Sequence, residues 1–325
     1  MNAITKNRQT NEILYLMAEK AFGKGKINYE KEIVELDGGY CNVVYLVPLI
    51  EGEVIVKIAP SDEIEMMSYE ERMLETEVAV MDLIEKYTKI PSPRVLFFDN
   101  SKTVCNSSYF FMIKSEGKSY DHFKKEFSDE QNDAIKQELG GYNKQLNQIK
   151  GTYFGLIGKS SSRFETWREF ILSLFQMLIN DGKRKGSNLV HITYDELWEL
   201  ITSYAEVFDE VITPRLVHWD LWDGNVFVQD GSISGIIDYE RAFYGDFLME
   251  DEFSSFREPS KAFLKAYGKE EFTPKEMIRC TIYRLYRCII MIVECDYRKY
   301  DSNVQVNWMI DTLKVELEKL KKLSQ

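Results

Sequence analysis

Short β-branched runs dominate the first third of the chain. Four runs of this region predict strands: residues 43–47, 54–58, 95–98 and 109–113. The turn signal Glu51-Gly52 separates the first two runs, which predicts a β-hairpin. Residues 69–86 carry apolar side chains at helical spacing, and Pro91 ends this pattern because proline cannot continue a helix. We expect an antiparallel β-rich region with one helix.

From about residue 115 the apolar spacing becomes helical. One predicted helical stripe comprises Phe164, Trp167, Ile171, Leu174, Phe175 and Leu178. Another helix is predicted to start at Pro274, because Thr273 and Glu276 form a capping box around it. Leu313, Leu317 and Leu320 mark a last amphipathic helix.

Two short apolar runs interrupt the helical part, at residues 226–228 and 233–237, with a Gly-bearing turn between them. This arrangement predicts a second hairpin. The whole pattern predicts an α+β protein with a smaller β-rich lobe, residues 1–114, and a larger helical lobe, residues 115–325.

Composition and charge narrow the possible partners. The chain has 325 residues, of which 44% are hydrophobic, and a net charge of −12. An acidic surface repels nucleic acid and anionic membranes, so neither is an expected partner. It would suit a cationic small molecule, although solubility alone explains such a charge. The five cysteines form no C-x-x-C pair and the N-terminus has no apolar signal core, so a cytoplasmic protein is expected.

The densest chemical signal is the sequence LVHWDLWDGN at residues 216–225, followed by the predicted hairpin and by Asp238. Phosphoryl transfer needs a positioned acceptor hydroxyl and metal ions that neutralise phosphate charge. Asp220 would face the hydroxyl. Asn225 and Asp238 would supply oxygen ligands for Mg²⁺, which prefers oxygen donors. A plain surface hairpin is the alternative, but His-x-Asp-x-x-x-x-Asn followed by a hairpin and an aspartate favours the phosphotransfer site.

These motifs resemble those of the aminoglycoside phosphotransferase and choline kinase group of small-molecule kinases. The matching pieces are residues 36–45 (LDGGYCNVVY), Val56-Lys57, the helix around Glu77, residues 90–96 (IPSPRVL), the catalytic loop 216–225 and Ile237-Asp238. The resemblance covers about residues 33–270. It implies a bilobal protein-kinase-like fold, ATP or GTP as phosphate donor, and Mg²⁺.

The resemblance assigns roles position by position. It implies that Asp220 is the catalytic aspartate and that Asn225 and Asp238 hold magnesium. Lys57 would reach the α- and β-phosphates and Glu77 would orient it through an ion pair. Glu75 is a competing candidate for this pairing.

Further positions would contact the nucleotide. Gly38 and Gly39, followed by Asn42, lie between the first two strands, where glycines let backbone N–H groups approach phosphate oxygens. By resemblance, Met112 lies at the back of the base pocket. Ile113 and Ser115 fall in the inter-lobe hinge, whose backbone groups bind the purine.

The catalytic loop departs from the family pattern at three residues. Trp219 stands where many relatives have glycine, and Trp222 and Asp223 replace small or proline residues. The two indoles could form a wall beside the acceptor or pack beneath the loop. His218 is interpreted as a brace for the loop.

The acceptor is less defined. The acidic cluster at residues 249–253 could bind acceptor ammonium groups or be a solvated helix start. Aminoglycosides are the first hypothesis, and choline, ethanolamine, fructosamine, homoserine, methylthioribose and macrolides remain open. A silent nucleotide-binding module is the other alternative, although Lys57, Asp220, Asn225 and Asp238 are all present. A protein kinase is disfavoured because no long activation segment follows Asp238.

Overall fold

A computed structural model of the chain describes residues 4–36, 41–300 and 302–323. Its N-terminal region contains two helices and five strands: α1 (Asn11–Phe22), β1 (Val34–Glu35), β2 (Val43–Leu49), β3 (Gly52–Ile58), α2 (Met73–Tyr87), β4 (Val95–Asp99) and β5 (Tyr109–Ile113). The strands form one antiparallel sheet in the order β1-β2-β3-β5-β4. All four predicted strands are present within two residues.

Side-chain alternation gives this sheet two buried faces. Val54, Val56 and Ile58 of β3 pack with Leu14 and Met17 of α1 on one face. Ile55 belongs to the core that α2 enters from the other side. Because successive strand residues point to opposite faces, Lys57 shares the α2 face with Ile55. This register directs Lys57 toward the helix that carries Glu77.

The described residues that follow β5 are mainly helical, with two small sheets. Its helices are α3 (Tyr120–Phe123), α4 (Asp129–Leu146), α5 (Trp167–Lys185), α6 (Tyr194–Ser203), α7 (Asp251–Ser254), α8 (Lys261–Tyr267), α9 (Pro274–Arg298) and α10 (Val304–Leu323). Its strands are β6 (Lys118–Ser119), β7 (Gly155–Leu156), β8 (Arg215–Val217), β9 (Val226–Gln229), β10 (Ser232–Ile236) and β11 (Phe243–Gly245). The sheets have the orders β10-β9-β6 and β7-β11-β8. The predicted α+β class is confirmed.

Two predicted helix starts are wrong. The helix expected from Tyr69 begins at Met73, after Arg72 with a left-handed backbone (φ 60°). Tyr69 is instead buried against Trp219. Phe164 precedes α5, because Thr166 and Glu169 form a capping box that sets the start at Trp167. The predicted capping box at Thr273 and Glu276 is present.

Within the described part of the chain, no helix combines the length and the apolar character that crossing a bilayer requires.

Candidate active site

The catalytic loop connects β8 to β9 and includes a short 3-10 turn, Asp223–Asn225. Trp219 has a positive φ of 68°, a conformation that glycine adopts without strain. Its indole is only 5% exposed and packs against three rings, those of Tyr69, Phe243 and Tyr286, at 5.5–5.8 Å between centroids. Trp219 therefore packs beneath the loop, whereas Trp222 is 38% exposed.

His218 braces the loop from inside. Its Nε2 donates to the carbonyl of Ile237 (3.0 Å), and its Nδ1 accepts from the backbone N–H of Asp220 (3.3 Å). Burial lowers the pKa of His218 to about 4, so the ring is neutral at pH 7. The His218 side chain thus connects the loop to the residue that precedes Asp238.

Glu250 holds the same loop from its other side. Its carboxylate accepts from the backbone N–H of His218 (3.0 Å) and of Trp219 (3.3 Å), and from Asn147 Nδ2 (2.8 Å). The predicted acidic cluster of residues 249–253 is buried throughout. The interpretation of it as a solvated helix start is therefore wrong, whereas the binding of acceptor ammonium groups by it stays a prediction. A local pattern of charges does not show that distant residues cover them.

Asp220 and Asn225 face each other within the loop. Asn225 Nδ2 donates to the carbonyl of Asp220 (2.8 Å) and approaches its carboxylate (3.4 Å). The Asn225 carbonyl accepts from Ile237 N (3.1 Å), which joins the loop to the end of β10. Burial raises the pKa of Asp220 to about 7, against the opposing effect of Arg241.

Lys57 lies at the centre of a buried ion cluster. Its Nζ is 2.6 Å from Glu77 Oε2 and 2.9 Å from Glu240 Oε2, and it also contacts Asp238 Oδ1. Glu75 is instead on the outer side of α2, near Arg72. The structure thus pairs Lys57 with Glu77, and the contribution of this pair to nucleotide binding stays a prediction.

The carboxylates outnumber the cation in this cluster. Burial alone would lower the pKa of Lys57, but Asp238, Glu240 and Glu77 outweigh it and raise that pKa. Burial raises the pKa values of Glu77 and Glu240, since one ammonium cannot neutralise three carboxylates. Burial would raise the pKa of Asp238, but its direct contact with the Lys57 ammonium outweighs burial and lowers the pKa of Asp238.

Asp238 is the member of this cluster that suits a divalent cation. Ligand oxygens of Glu77, Asp238 and Glu240 lie within 4.8 Å of one another. One ammonium does not balance three carboxylates, so a divalent cation at Asp238 would offset part of the remaining negative charge. Asp238 is the open side of the cluster, with 31% of its side chain exposed, whereas Glu77 and Glu240 are buried. Magnesium prefers such oxygen ligands.

Glu240 was missed as a site residue in the sequence. It contacts Lys57 and also accepts a hydrogen bond from Asn42 Nδ2. The available signal was its spacing, two residues after Asp238. Asn42 is thus beside the cluster, whereas Gly38 and Gly39 lie outside the described residues.

The predicted hinge residues lie at the end of β5. Met112 is buried on the α2 face of the sheet, and Ile113 is exposed. Ser115 packs against Gly235 of β10, where a Cβ atom would come within 2.8 Å of Ser115 Oγ. The predicted hinge, through Ser115, therefore contacts the β9-β10 hairpin, whose second strand leads to Asp238. Binding of a purine by Met112, Ile113 and Ser115 stays a prediction.

The antiparallel sheet and the helical region meet at the cluster of Lys57, Glu77 and Asp238, an arrangement typical of kinase-like phosphotransferases. The model of the phosphotransferase enzyme family matches residues 32–251, and the chain belongs to this family.

Solved structures share this fold. A protein assigned as a fructosamine-3-kinase from Haemophilus somnus 129PT has a TM-score of 0.65 and 20% identity, with 97% of each chain covered. The streptomycin-ATP-APH(2'')-IIa ternary complex has a TM-score of 0.60 and 18% identity, with 97% of each chain covered. The GDP and kanamycin complex of APH(2'')-IIia has a TM-score of 0.64 and 13% identity, and covers 94% of this chain and 98% of that chain. None of the curated proteins matches the sequence.

Proposed function

We propose that this protein transfers the γ-phosphate of ATP or GTP to a hydroxyl of a small molecule in a magnesium-dependent reaction. The observation that carries this proposal is the contact of Lys57 with both Glu77 of α2 and Asp238 after β10. These contacts bring together the groups that phosphoryl transfer uses to bind phosphates and metal. Two structural neighbours are named as complexes with ATP and with GDP, which supports a purine nucleotide as donor.

The side chains divide the work as follows. Lys57, oriented by Glu77, would bind the α- and β-phosphates, while backbone groups of Ile113 and Ser115 would bind the purine. Asn225 and Asp238 would hold Mg²⁺, which when bound neutralises charge on the phosphate oxygens.

Asp220 would act on the acceptor. The acceptor oxygen forms a bond to the γ-phosphorus as the bond to the β–γ bridging oxygen breaks, and the hydroxyl proton passes to the Asp220 carboxylate. A pKa near 7 suits a group that must accept a proton near neutral pH. The products are a phosphate monoester and a nucleoside diphosphate.

Acceptor identity requires a screen. Aminoglycosides are the first class to test because two neighbours are named as complexes with streptomycin and kanamycin. The acidic cluster is buried, and Asp251 within it is already paired with Arg257 and Arg287, so it does not single out aminoglycosides. Choline, ethanolamine, fructosamines, homoserine, methylthioribose and macrolides therefore belong in the same screen.

The test measures acceptor-dependent release of nucleoside diphosphate with MgATP and with MgGTP. We expect one acceptor class to stimulate release in the wild type. Asp220→Asn, which is isosteric, should abolish this stimulation and leave the affinity for MgADP within about twofold, because Asp220 acts on the acceptor. Normal turnover by Asp220→Asn, or no stimulation by any acceptor, would contradict the proposal.

A further inference from the structure

Asp223 lies inside the catalytic loop, between the proposed catalytic Asp220 and the proposed metal ligand Asn225. It opens the 3-10 turn that ends at Asn225. Its side chain points into the protein and is 3% exposed, although aspartate is usually a surface residue. A buried carboxylate needs partners, because removal of its charge from water is costly.

Three cations from separate segments meet this carboxylate. Lys136 Nζ of α4 lies 2.7 Å from Oδ1, Arg257 Nη1 lies 2.9 Å from Oδ2, and Lys124 Nζ lies 3.0 Å from Oδ2. Lys136 is buried, whereas Lys124 and Arg257 are partly exposed. Three side chains of the helical region therefore hold the loop at Asp223.

The network continues to a second point on the loop. Glu252 binds Lys136 (2.5 Å) and Arg257 (2.9 Å). Asp251 binds Arg257 (3.5 Å) and Arg287 (2.7 Å). Arg287 Nη2 then donates to the carbonyl of Trp219 (3.2 Å). Trp219, which precedes Asp220, and Asp223, which starts the turn ending at Asn225, thus belong to one charged network.

Stability alone does not explain such a network. Apolar residues of similar volume are often as stabilising as a buried ion pair, because desolvation offsets the Coulomb attraction. Directional contacts at Trp219 and Asp223 fix the loop between them more strictly than apolar packing would. The intervening residue Asp220 and the following Asn225 are the ones whose orientation phosphoryl transfer requires.

We propose that Asp223 is a positioning residue that, through Lys136 and Arg257, holds Asp220 and Asn225 in their reactive orientation. This inference rests on the proposed function. Asp223 would act on Asn225 through the turn that they share. Mutation of groups outside the ligand shell of a metal typically changes metal affinity or activity by about 10–100-fold, which sets the expected scale.

The test compares Asp223→Asn, Lys136→Met and the double variant. Three quantities are measured on the folded protein: kcat with the best acceptor, the affinity for metal-free ADP, and the affinity of Mn²⁺ for the ADP complex by electron paramagnetic resonance. We expect each single variant to lower kcat and Mn²⁺ affinity by about 10–100-fold with metal-free ADP affinity unchanged. The double variant should lose less than the two single variants combined, because each single variant already breaks the contact between Lys136 and Asp223 that they share.

Arg279→Met is the matched control. Arg279 forms a buried ion pair with Asp246 (3.0 Å) and a partly exposed one with Glu210 (2.7 Å), and both partners lie outside the catalytic loop. It should lower thermal stability and leave kcat and Mn²⁺ affinity of the folded protein unchanged. If Asp223→Asn does not fold, Arg257→Met, whose side chain is partly exposed, replaces it with the same expectation.

The outcomes separate this inference from the proposed function. Asp223 variants that lose only stability, with kcat and Mn²⁺ affinity within twofold of the wild type, overturn the positioning role and leave phosphoryl transfer intact. A wild type that transfers no phosphate contradicts the proposed function. In that case unchanged Mn²⁺ affinity in Asp223→Asn still overturns the inference, and a 10–100-fold loss supports the positioning of Asn225 but not of Asp220.

Discussion

Among the described residues of the site, two that are not glycine have a left-handed backbone, Trp219 (φ 68°) and Asp238 (φ 71°). This conformation costs an L-residue roughly 1–2 kcal/mol, so surrounding contacts must hold it. Trp219 is held by ring contacts, and Asp238 by its contact with Lys57. The strain is located at the residue before Asp220 and at a proposed metal ligand.

Replacement of Trp219 by glycine tests which effect dominates. Glycine would relieve backbone strain of about 1–2 kcal/mol. Loss of a buried Trp side chain costs about 3–5 kcal/mol when a cavity remains. We therefore expect Trp219→Gly to lower the free energy of unfolding by roughly 1–4 kcal/mol, measured by urea denaturation. A variant as stable as the wild type would show that the indole contributes little packing.

Asp238→Asn addresses the proposed metal site. The substitution removes the carboxylate on the open side of the Lys57 cluster. We expect the affinity for MgADP to fall by at least about tenfold, while the affinity for metal-free ADP changes far less. Isothermal titration calorimetry with and without Mg²⁺ distinguishes the two. Asp230→Asn, at the exposed turn of the same hairpin, is the matched control and should bind MgADP normally.

At the scale of elements, regular periodicity made some features of the site predictable. Lys57 lies on the α2 face because strand side chains alternate. Glu75 and Glu77 are two positions apart, so a helix directs them to different sides. Glu77 is three to four positions from Met73 and Val80, which are buried, and therefore points inward.

Other features depend on contacts that local periodicity does not contain. The pattern at residues 69–72 is helical, but Tyr69 packs against Trp219 and Glu70 binds Arg298, far along the chain. The same holds for Glu250, whose partners His218 and Asn147 belong to other elements. Long-range partners decide the structure of these residues, so the sequence pattern predicted them wrongly.

A salt bridge between α1 and the sheet predicts a pH dependence of stability. Lys20 Nζ lies 2.6 Å from Asp99 Oδ2. Burial would raise the pKa of Asp99, but hydrogen bonds from Lys20 and Ser101 outweigh it and lower that pKa. The stabilisation is therefore present above the unfolded pKa of about 3.9 and is lost as the pH falls through the folded pKa.

Asp99→Asn should destabilise the protein by roughly 1 kcal/mol at pH 7. The difference in free energy of unfolding between wild type and variant should shrink below about pH 4. There Asp99 takes up a proton in the unfolded wild type while it is still ionised in the folded protein, so unfolding of the wild type becomes more favourable. Urea denaturation from pH 7 to pH 3 measures it. A difference that grows as the pH falls would contradict the lowered pKa of Asp99.

At the scale of the molecule, the segment between β3 and α2 joins the N-terminal sheet region to the helices of the C-terminal region. Glu65 pairs with Arg184 of α5 (2.9 Å), and the Ser68 hydroxyl donates to Asp181 of α5 (2.6 Å). Glu70 pairs with Arg298 at the end of α9 (2.6 Å). Tyr69, in the same segment, packs against Trp219 of the catalytic loop.

The contacts of this segment differ in burial, so they should differ in energy. Arg298 and Glu70 are each 1% exposed, and Arg298 also binds Glu294 (2.6 Å). Removal of one partner of a buried pair leaves an uncompensated charge and costs about 3–5 kcal/mol. Glu65 and Arg184 are about half exposed, and such surface pairs contribute about 0–1 kcal/mol.

We therefore expect Arg298→Met to lower the free energy of unfolding by about 3–5 kcal/mol and Glu65→Gln by less than about 1 kcal/mol. Urea denaturation followed by circular dichroism and by tryptophan fluorescence measures both values. All five tryptophans follow β5 in the chain, so fluorescence reports on the C-terminal region, whereas circular dichroism reports on the whole molecule. If the buried pair couples the two regions, the unfolding curves from the two probes coincide in the wild type and separate in Arg298→Met. Equal losses of free energy of unfolding in the two variants would show that burial does not set the strength of this connection.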